Sequence, residues 1–443
     1  MWMLVPFLSC QGKTELETTE DSGTAGGFTP AIPTSRCGET AYSWLPTDRM
    51  GDLIEIEDVD ELSLPKETIN LLLEQLGVGG LAPVPYDVKT YRVRYLTQNR
   101  GSEIEATGFV TLPEGRETAA PPLLWTHPTT GFTDSCAPTA QGLEGAGFPI
   151  LWAALGYAVA APDYIGMAGW GEPSGMLHPY IVAEPTAVAS LDSIRAMVNL
   201  IEQREPELSL AQDKAIFWGA SEGGYAALIS DRYRPHYLPD FQTVATVAAI
   251  PATNLQELTR LSVEELHDST FAMLAVMITQ AEWYGGFVTL SDAAIPAFAE
   301  QMEPLLQQCE DFGAADGITG VDEVYQAEFI EAALDSDWDA LMPWGCYFEE
   351  NSITLSQIPI ENPGTTLIIT AENDDLALPE PVKSDILTLC SAGYDIEHRE
   401  CADANHVAGA RDTLEAQLEW IAARVAGEPM SETCVIHPPA PCE

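Results

Sequence analysis

The sequence predicts an α/β fold: a mostly parallel central sheet with helices on both faces, interrupted by a helical insertion. Three observations predict it. From Pro122 onward, short apolar runs of strand length alternate with helical patterns, which is how a parallel sheet with crossover helices reads. Before that point the pattern is antiparallel, with Tyr91–Leu96 and Glu103–Leu112 alternating polar and apolar residues around Asn99-Arg-Gly-Ser. From Pro251 to Ile353 the strand rhythm stops, and the segment is rich in Ala, Leu, Met and Glu.

In chain order, Gln11 to about Pro33 is rich in Thr, Glu, Gly and Ser, and 11–50 as a whole is expected to be a disordered acidic tether. Pro65–Gly77 reads as a helix, with proline in its first turn and glycine past its end. After the hairpin come a strand at Pro122–Thr126 and a helix end, turn and strand across Trp152–Pro162. A helix from Pro185 to Glu202 carries Leu191, Ile194, Met197, Val198 and Ile201 on one face. Strands follow at Ala215–Ala220 and Thr243–Ile250. After the insertion the rhythm returns with a strand at Thr365–Thr370, a helix at Ser384–Ala392, a strand at Tyr394–Glu400 and a terminal helix at Arg411–Val425. The expected domains are thus a core of 51–250 and 354–425, the insertion 251–353, and a Cys/Pro-rich tail 426–443. No internal repeat is evident.

The 443 residues carry a formal net charge of −49, which opposes binding to nucleic acid or to anionic membranes by attraction. The acids are spread along the whole chain, as on a solvated acidic surface suited to a saline medium. None of the nine cysteines forms a Cys-x-x-Cys pair, so zinc is not expected. Asp335-Ser-Asp337-Trp-Asp339 lacks the glycine and distal glutamate of a calcium loop. Neither metal nor cofactor is expected. Residues 1–10 form a short apolar run ending Leu8-Ser9-Cys10, which resembles a bacterial lipoprotein signal with Cys10 as the lipidated residue, although no basic residue precedes the run. That anchor would be the protein's only membrane attachment. Setting Cys10 aside leaves eight cysteines, compatible with four disulfides in an oxidising compartment. Proximity in sequence suggests Cys434–Cys442 and Cys390–Cys401, with Cys309–Cys346 and Cys37–Cys136 as the remainder.

The chemistry centres on Gly219-Ala-Ser221-Glu-Gly223, between an apolar strand and a helical segment beginning at Tyr225. With 34 glycines in the chain the pentapeptide alone is weak evidence; the strand before it and the helix after it give it weight. Such a turn exposes Ser221 Oγ at the carboxyl end of a central strand. It also aims the Glu222 N–H, at the helix start, where an oxyanion would form. A serine nucleophile needs a base, and the base an orienting acid. In this strand–turn–helix arrangement they follow in the order Ser, acid, His. The loop after Thr365–Thr370 offers Asp374 or Asp375: counting from the strand end favours Asp374, counting back from Pro379 favours Asp375. His406, in the loop before the terminal helix, is the expected base. His398 lies within a strand and reads as structural, while His178, His236, His267 and His437 lack the right position. The loop after Pro122–Thr126 supplies the second oxyanion donor, with the Thr129 N–H as candidate and Thr130 as alternative.

Four stretches carry a resemblance to the secretory lipase-like group of exported serine esterases, within the α/β-hydrolase superfamily. His127-Pro-Thr-Thr-Gly131 with Cys136-Ala-Pro-Thr139 is similar to that group's His-Gly-Thr-Thr-Gly and Cys-Ala-Pro-Ser pair. Pro162-Asp163-Tyr164-Ile-Gly166 is similar to its Pro-Asp-Tyr-x-Gly. Gly219–Gly224 resembles its elbow, and the Asp374 and His406 loops its late triad members. Pro128 departs from the glycine expected after His127. The resemblance covers roughly Tyr91 to Val425. It implies the α/β-hydrolase fold, hydrolysis of small-molecule or lipid esters through an acyl-enzyme, and a helical cap shaping the acyl pocket. A peptidase or deacetylase would use the same triad, and a non-catalytic surface binding module would keep the fold with an unreactive Ser221.

Overall fold

Strands whose two faces are both covered must be apolar throughout, and the alternation along them decides which helix layer each residue meets. In the computed structural model, which describes residues 35–38, 41–76, 78–81, 83–285, 288–309 and 317–442, the central strands follow this rule. The signal expected at 1–10 and the lipidation of Cys10 lie outside the described residues.

The chain begins with β1 (Leu53–Asp58), α1 (Lys66–Gln75), β2 (Asp87–Asn99) and β3 (Ser102–Glu114). It continues with β4 (Pro122–Thr126), α2 (Leu143–Ala154), β5 (Ala158–Pro162), α3 (Ala183–Arg204), β6 (Ala215–Ala220), α4 (Glu222–Tyr237) and β7 (Thr243–Ala249). Helices α5 (Leu255–Glu264), α6 (Asp268–Tyr284), α7 (Pro296–Leu305), α8 (Ala327–Leu334) and α9 (Trp344–Asn351) separate β7 from β8 (Thr365–Ala371). The chain closes with α10 (Pro379–Ser391), β9 (Ile396–Cys401), α11 (His406–Arg411) and α12 (Leu414–Val425).

The strands form one sheet in the order β1-β2-β3-β5-β4-β6-β7-β8-β9. Pairing is antiparallel through β1, β2, β3 and on to β5, and parallel from β5 to β9. Between β2 and β3, Arg100 (φ 50°) and Gly101 (φ 70°) make the two-residue left-handed turn that suits a hairpin's twist. On one face, Phe217 and Ile368 pack with α3, α4 and α10; on the other, Ile216, Trp218, Leu367 and Ile369 pack with α1, α2 and α12.

The expected tether does not extend to residue 50. Trp44 is 7% exposed and packs against Tyr233 and Tyr237 of α4, at ring-centroid distances of 5.9 and 5.3 Å. A buried indole gains more than a loose chain would keep in entropy. The terminal helix is two helices, α11 and α12, and the former begins at His406, so His406 opens a helix rather than lying in a loop.

All eight described cysteines are paired, but none as sequence proximity suggested. The bonds are Cys37–Cys346, Cys136–Cys309, Cys390–Cys434 and Cys401–Cys442. Cys390 ends α10 near the start of β9, whereas Cys401 ends β9 itself, and an extended strand of that length holds them apart. The C-terminal tail instead runs alongside β9. The Cys434 N–H donates to the Ile396 carbonyl (2.6 Å), and the Ala440 N–H to that of Glu400 (2.9 Å). Each tail cysteine therefore meets a different end of the strand. Likewise Cys37 bonds Cys346 near the start of α9 while the Arg36 N–H donates to Glu350 Oε2 near its end (2.8 Å), and Cys136 faces Cys309 after α7.

Candidate active site

Ser221 is the single residue between β6 and α4, at φ 57° and ψ −121°. A side chain here is strained by about 1–3 kcal/mol and persists only because its surroundings fix it. The Ser221 N–H donates to the Ala249 carbonyl at 2.9 Å. A Cβ on Gly219 would lie 2.1 Å from the Gly223 carbonyl oxygen, and one on Gly223 2.1 Å from that of Thr126. Only glycine lets β4, β6 and α4 meet this closely. Thr126 Oγ1, 2.7 Å from the Gly223 carbonyl and 3.0 Å from that of Trp218, binds the same corner.

His406 Nε2 lies 2.9 Å from Ser221 Oγ, and its Nδ1 lies 2.8 and 2.9 Å from the two oxygens of Asp374. Asp374 Oδ1 also accepts the N–H groups of Leu376 (3.0 Å) and Ala377 (2.8 Å). An ionised carboxylate only accepts, so the proton of a neutral His406 sits on Nδ1. Its Nε2 lone pair then faces the serine hydroxyl. Asn405 caps α11 by accepting the Ala408 N–H at 3.0 Å, which orients the ring at the first helical position. Between the two aspartates the geometry favours Asp374, which is buried; Asp375 is exposed, and its backbone carbonyl accepts the Ser269 N–H of α6 (3.0 Å).

Glu222 opens α4 and Thr129 lies in the loop after β4. Neither N–H has a protein acceptor among the described residues. The Thr129 hydroxyl donates to Tyr180 Oη at 3.1 Å, so it is already engaged, and Thr130 Oγ1 is buried without a partner among the described residues. Pro128 is exposed, and its carbonyl meets His127 Nδ1 at 2.7 Å. The buried His127 ring packs on Tyr164 (4.2 Å between centroids), and burial holds its pKa below the usual range, so it is neutral.

Two of the motif stretches prove to be one unit. Asp163 accepts the hydroxyl of Thr107 (2.6 Å) and the N–H of Thr139 (2.9 Å), and also the Thr139 hydroxyl. Burial nevertheless pushes its carboxyl up to about 6. The Cys136–Cys309 bond then ties this unit to the end of α7. A Cβ on Gly131 would lie 2.4 Å from Cys136 Sγ, so the disulfide packs directly on the loop that carries Thr129.

Sequence reasoning passed over His178. Its Nδ1 lies 2.9 Å from the Ile165 carbonyl and its Nε2 2.7 Å from Glu222 Oε1, with both side chains buried. The available signal was Glu222 itself, an acid at the start of a buried helix that needs a partner.

Ser221 and His406 lie at the junction of two cavities. One is an open cleft of about 670 Å³, which includes Thr129, Ile250, Val407 and Leu414 and is floored by Phe148 stacked over Trp218 (5.5 Å). The other, a narrow space of about 30 Å³, is walled by Leu255, Leu258, Met273 and Val276 of α5 and α6. Among the described residues no cluster of metal-ligating side chains occurs, and no helix is long and apolar enough to cross a membrane.

A sequence profile of the secretory lipase family matches residues 149–433. The chain belongs to the secretory lipase family. Its solved structural neighbours place this family member in the α/β-hydrolase fold. A Legionella pneumophila protein superposes with a TM-score of 0.71 at 18% identity, over 86% of this chain and 100% of its own. The rice cell wall degrading esterase LipA from Xanthomonas oryzae gives 0.67 at 18% identity, over 85% and 97%. Candida antarctica lipase A in its closed state gives 0.61 at 16%, over 88% and 85%. No curated protein matches this secretory lipase family member in sequence.

Proposed function

We propose that the chain is an exported serine hydrolase that cleaves carboxylic esters with apolar acyl or alcohol groups. The observation that carries this reading is the unbroken relay from Ser221 Oγ through His406 to the buried Asp374, opening into an apolar cleft. Ser221 Oγ attacks the ester carbonyl while His406 Nε2 takes its proton. Asp374 holds the ring in the productive tautomer and stabilises the imidazolium. The N–H groups of Glu222 and Thr129 receive the oxyanion. As the tetrahedral intermediate collapses, His406 returns the proton to the departing alcohol, leaving Ser221 acylated. Water, deprotonated by His406, then releases the carboxylic acid and regenerates the serine. The names of two structural neighbours, an esterase and a lipase, support this chemistry.

Helices α5 and α6 wall the smaller cavity, which supports a cap role for 251–353 above a core of 51–250 and 354–425. Export is supported by the family and by four disulfides. Attachment through a lipidated Cys10 belongs to the same proposal.

The test is labelling with a fluorophosphonate probe followed by peptide mapping, together with hydrolysis of a p-nitrophenyl ester series. The label is expected on Ser221 and is lost in His406→Ala, and Ser221→Ala lowers turnover by about a thousandfold or more. An unlabelled, folded, disulfide-intact protein, or a Ser221→Ala variant that turns over like wild type, refutes the reading.

A further inference from the structure

His178 and Glu222 form a buried pair that the relay does not use, directly behind the peptide expected to bind the oxyanion. The donors and acceptors fix its proton count. Ile165 presents a carbonyl oxygen, which only accepts, so His178 Nδ1 carries a hydrogen. His178 Nε2 and Glu222 Oε1, 2.7 Å apart, then need one further proton between them. Placed on nitrogen it gives an imidazolium and a carboxylate; placed on oxygen it gives a neutral ring and a carboxylic acid. Both forms have zero net charge. Without that proton, a carboxylate 3% exposed would face a nitrogen lone pair, with its other oxygen, Oε2, lacking any partner among the described residues. Burial makes such a charge costly.

Among the described residues nothing else nearby supplies this neutralisation. The loop after β4 contributes His127, kept neutral by burial. The loop after β5 contributes Tyr164 and α4 contributes Tyr225, both buried phenols whose pKa values lie far above the working range. Tyr180 lies at a ring-centroid distance of 6.4 Å from His178. Helices α5 and α6 present only apolar side chains to the cavity that Glu222 shares with Ser221 and His406.

The geometry points to His178 as a positioning residue that keeps a proton on the His178–Glu222 pair, so that the Glu222 N–H meets the developing oxyanion with no net negative charge behind it. This inference rests on the proposed role of Ser221. The ester ground state is neutral and the tetrahedral intermediate anionic, so an uncompensated Glu222 carboxylate lowers kcat and leaves KM nearly unmoved. The pair also sets an upper pH limit. Loss of its proton places a carboxylate beside the oxyanion, which lowers kcat at alkaline pH.

The experiment compares wild type, His178→Gln, Glu222→Gln and the double variant in kcat and KM for p-nitrophenyl butyrate from pH 5 to 10, with thermal melting as the control for folding. In His178→Gln the carboxyl at 222 loses its proton-sharing partner. Its kcat at pH 8 is expected to fall about ten- to hundredfold and to recover towards acid pH. Adding Glu222→Gln removes the charge and restores at least about a tenth of the wild-type kcat. In Glu222→Gln alone the amide N–H donates to His178 Nε2, and the alkaline limb of the kcat profile flattens. If the double variant stays as slow as His178→Gln, the role is structural and the inference is overturned. Where His178→Gln does not fold, Glu222→Gln decides: an alkaline limb unchanged from wild type overturns it. A wild-type protein with no label on Ser221 overturns the functional proposal instead, so the two failures are distinguishable.

Discussion

Replacing Asp374 by asparagine tests the relay most directly, because its four hydrogen-bond contacts leave an amide no satisfactory orientation. Asp374 Oδ1 accepts two backbone N–H groups, at 3.0 and 2.8 Å, and both oxygens approach His406 Nδ1, at 2.9 and 2.8 Å. An amide has one acceptor oxygen. If that oxygen keeps the N–H groups of Leu376 and Ala377, the amide N–H₂ faces Nδ1, and His406 must move its proton to Nε2. There it points at Ser221 Oγ, and the base is gone. If the amide flips, its hydrogens meet the two backbone N–H groups, each left unpaired in a buried site at about 1–3 kcal/mol. The first orientation wins, so Asp374→Asn folds with the wrong tautomer. The expected loss is about 10⁴ in kcat, or about 5.4 kcal/mol of transition-state stabilisation. Asp375 makes no side-chain hydrogen bond among the described residues, and Asp375→Asn stays within about threefold of wild type. The assay is kcat and KM on a p-nitrophenyl ester, alongside the rate of fluorophosphonate labelling and a thermal melt. Folded Asp374→Asn with more than about a tenth of wild-type activity refutes the reasoning, as does a large loss in Asp375→Asn alone.

Two glycines separate backbone necessity from tolerance. Gly223→Ala puts a Cβ 2.1 Å from the Thr126 carbonyl oxygen, so it is expected to lose about 3 kcal/mol or more and to abolish labelling of Ser221. In Gly147→Ala the Cβ meets nothing within 4 Å inside α2, and urea denaturation should show a gain of up to about 1 kcal/mol. Equal stability of the two variants counts against the elbow argument. Stability should fall as pH rises from 5 to 8. Burial pushes Asp163, Asp192 and Asp385 up to about 6 and Glu184 to about 7. A folded-state pKa above the unfolded one contributes stability that is present at low pH and lost as pH rises through the folded value. Glu184→Gln is expected to shrink the fall over pH 5–8 by about 2–3 kcal/mol, and a variant with the wild-type slope refutes the assignment.

What the sequence revealed follows from how strongly burial constrains a segment. β4, β5, β6, β7 and β8 are covered on both faces, so they stand out as short apolar runs. The relay was legible because Ser221, Asp374 and His406 each follow a strand that reads clearly, and strand ends share one edge of a parallel sheet. β1 was missed for the opposite reason. Leu53-Ile-Glu-Ile-Glu-Asp58 is an exposed edge strand that reads as an acidic stretch, and its acids meet partners distant in sequence, Glu57 with Arg92 (3.1 Å) and Glu55 with Arg94 (3.3 Å) across the sheet and Asp58 with Arg204 of α3 (3.6 Å). For His178 the one signal was Glu222, an acid at the start of a buried helix, and which residue it turns inward to meet, 44 positions earlier, is set only by the fold.

The disulfides show where proximity in sequence misleads. Cysteines close together on a regular element point to different places, because a strand of six residues already spans more than a disulfide can bridge. The native bonds join cysteines separated by 309, 173, 44 and 41 residues. On the chain-entropy account each constrains the unfolded chain by about 4–6 kcal/mol, against about 2.5–3 kcal/mol for bonds closing loops of about ten residues. That difference matters in a chain of net charge −49, whose self-repulsion favours expansion. Two bonds fasten the tail along β9. The other two fasten the N-terminal segment and the end of α7 to regions distant in sequence, one of them directly against the loop that carries Thr129. The pairing therefore restrains the N-terminal segment, the C-terminal tail and one wall of the candidate site.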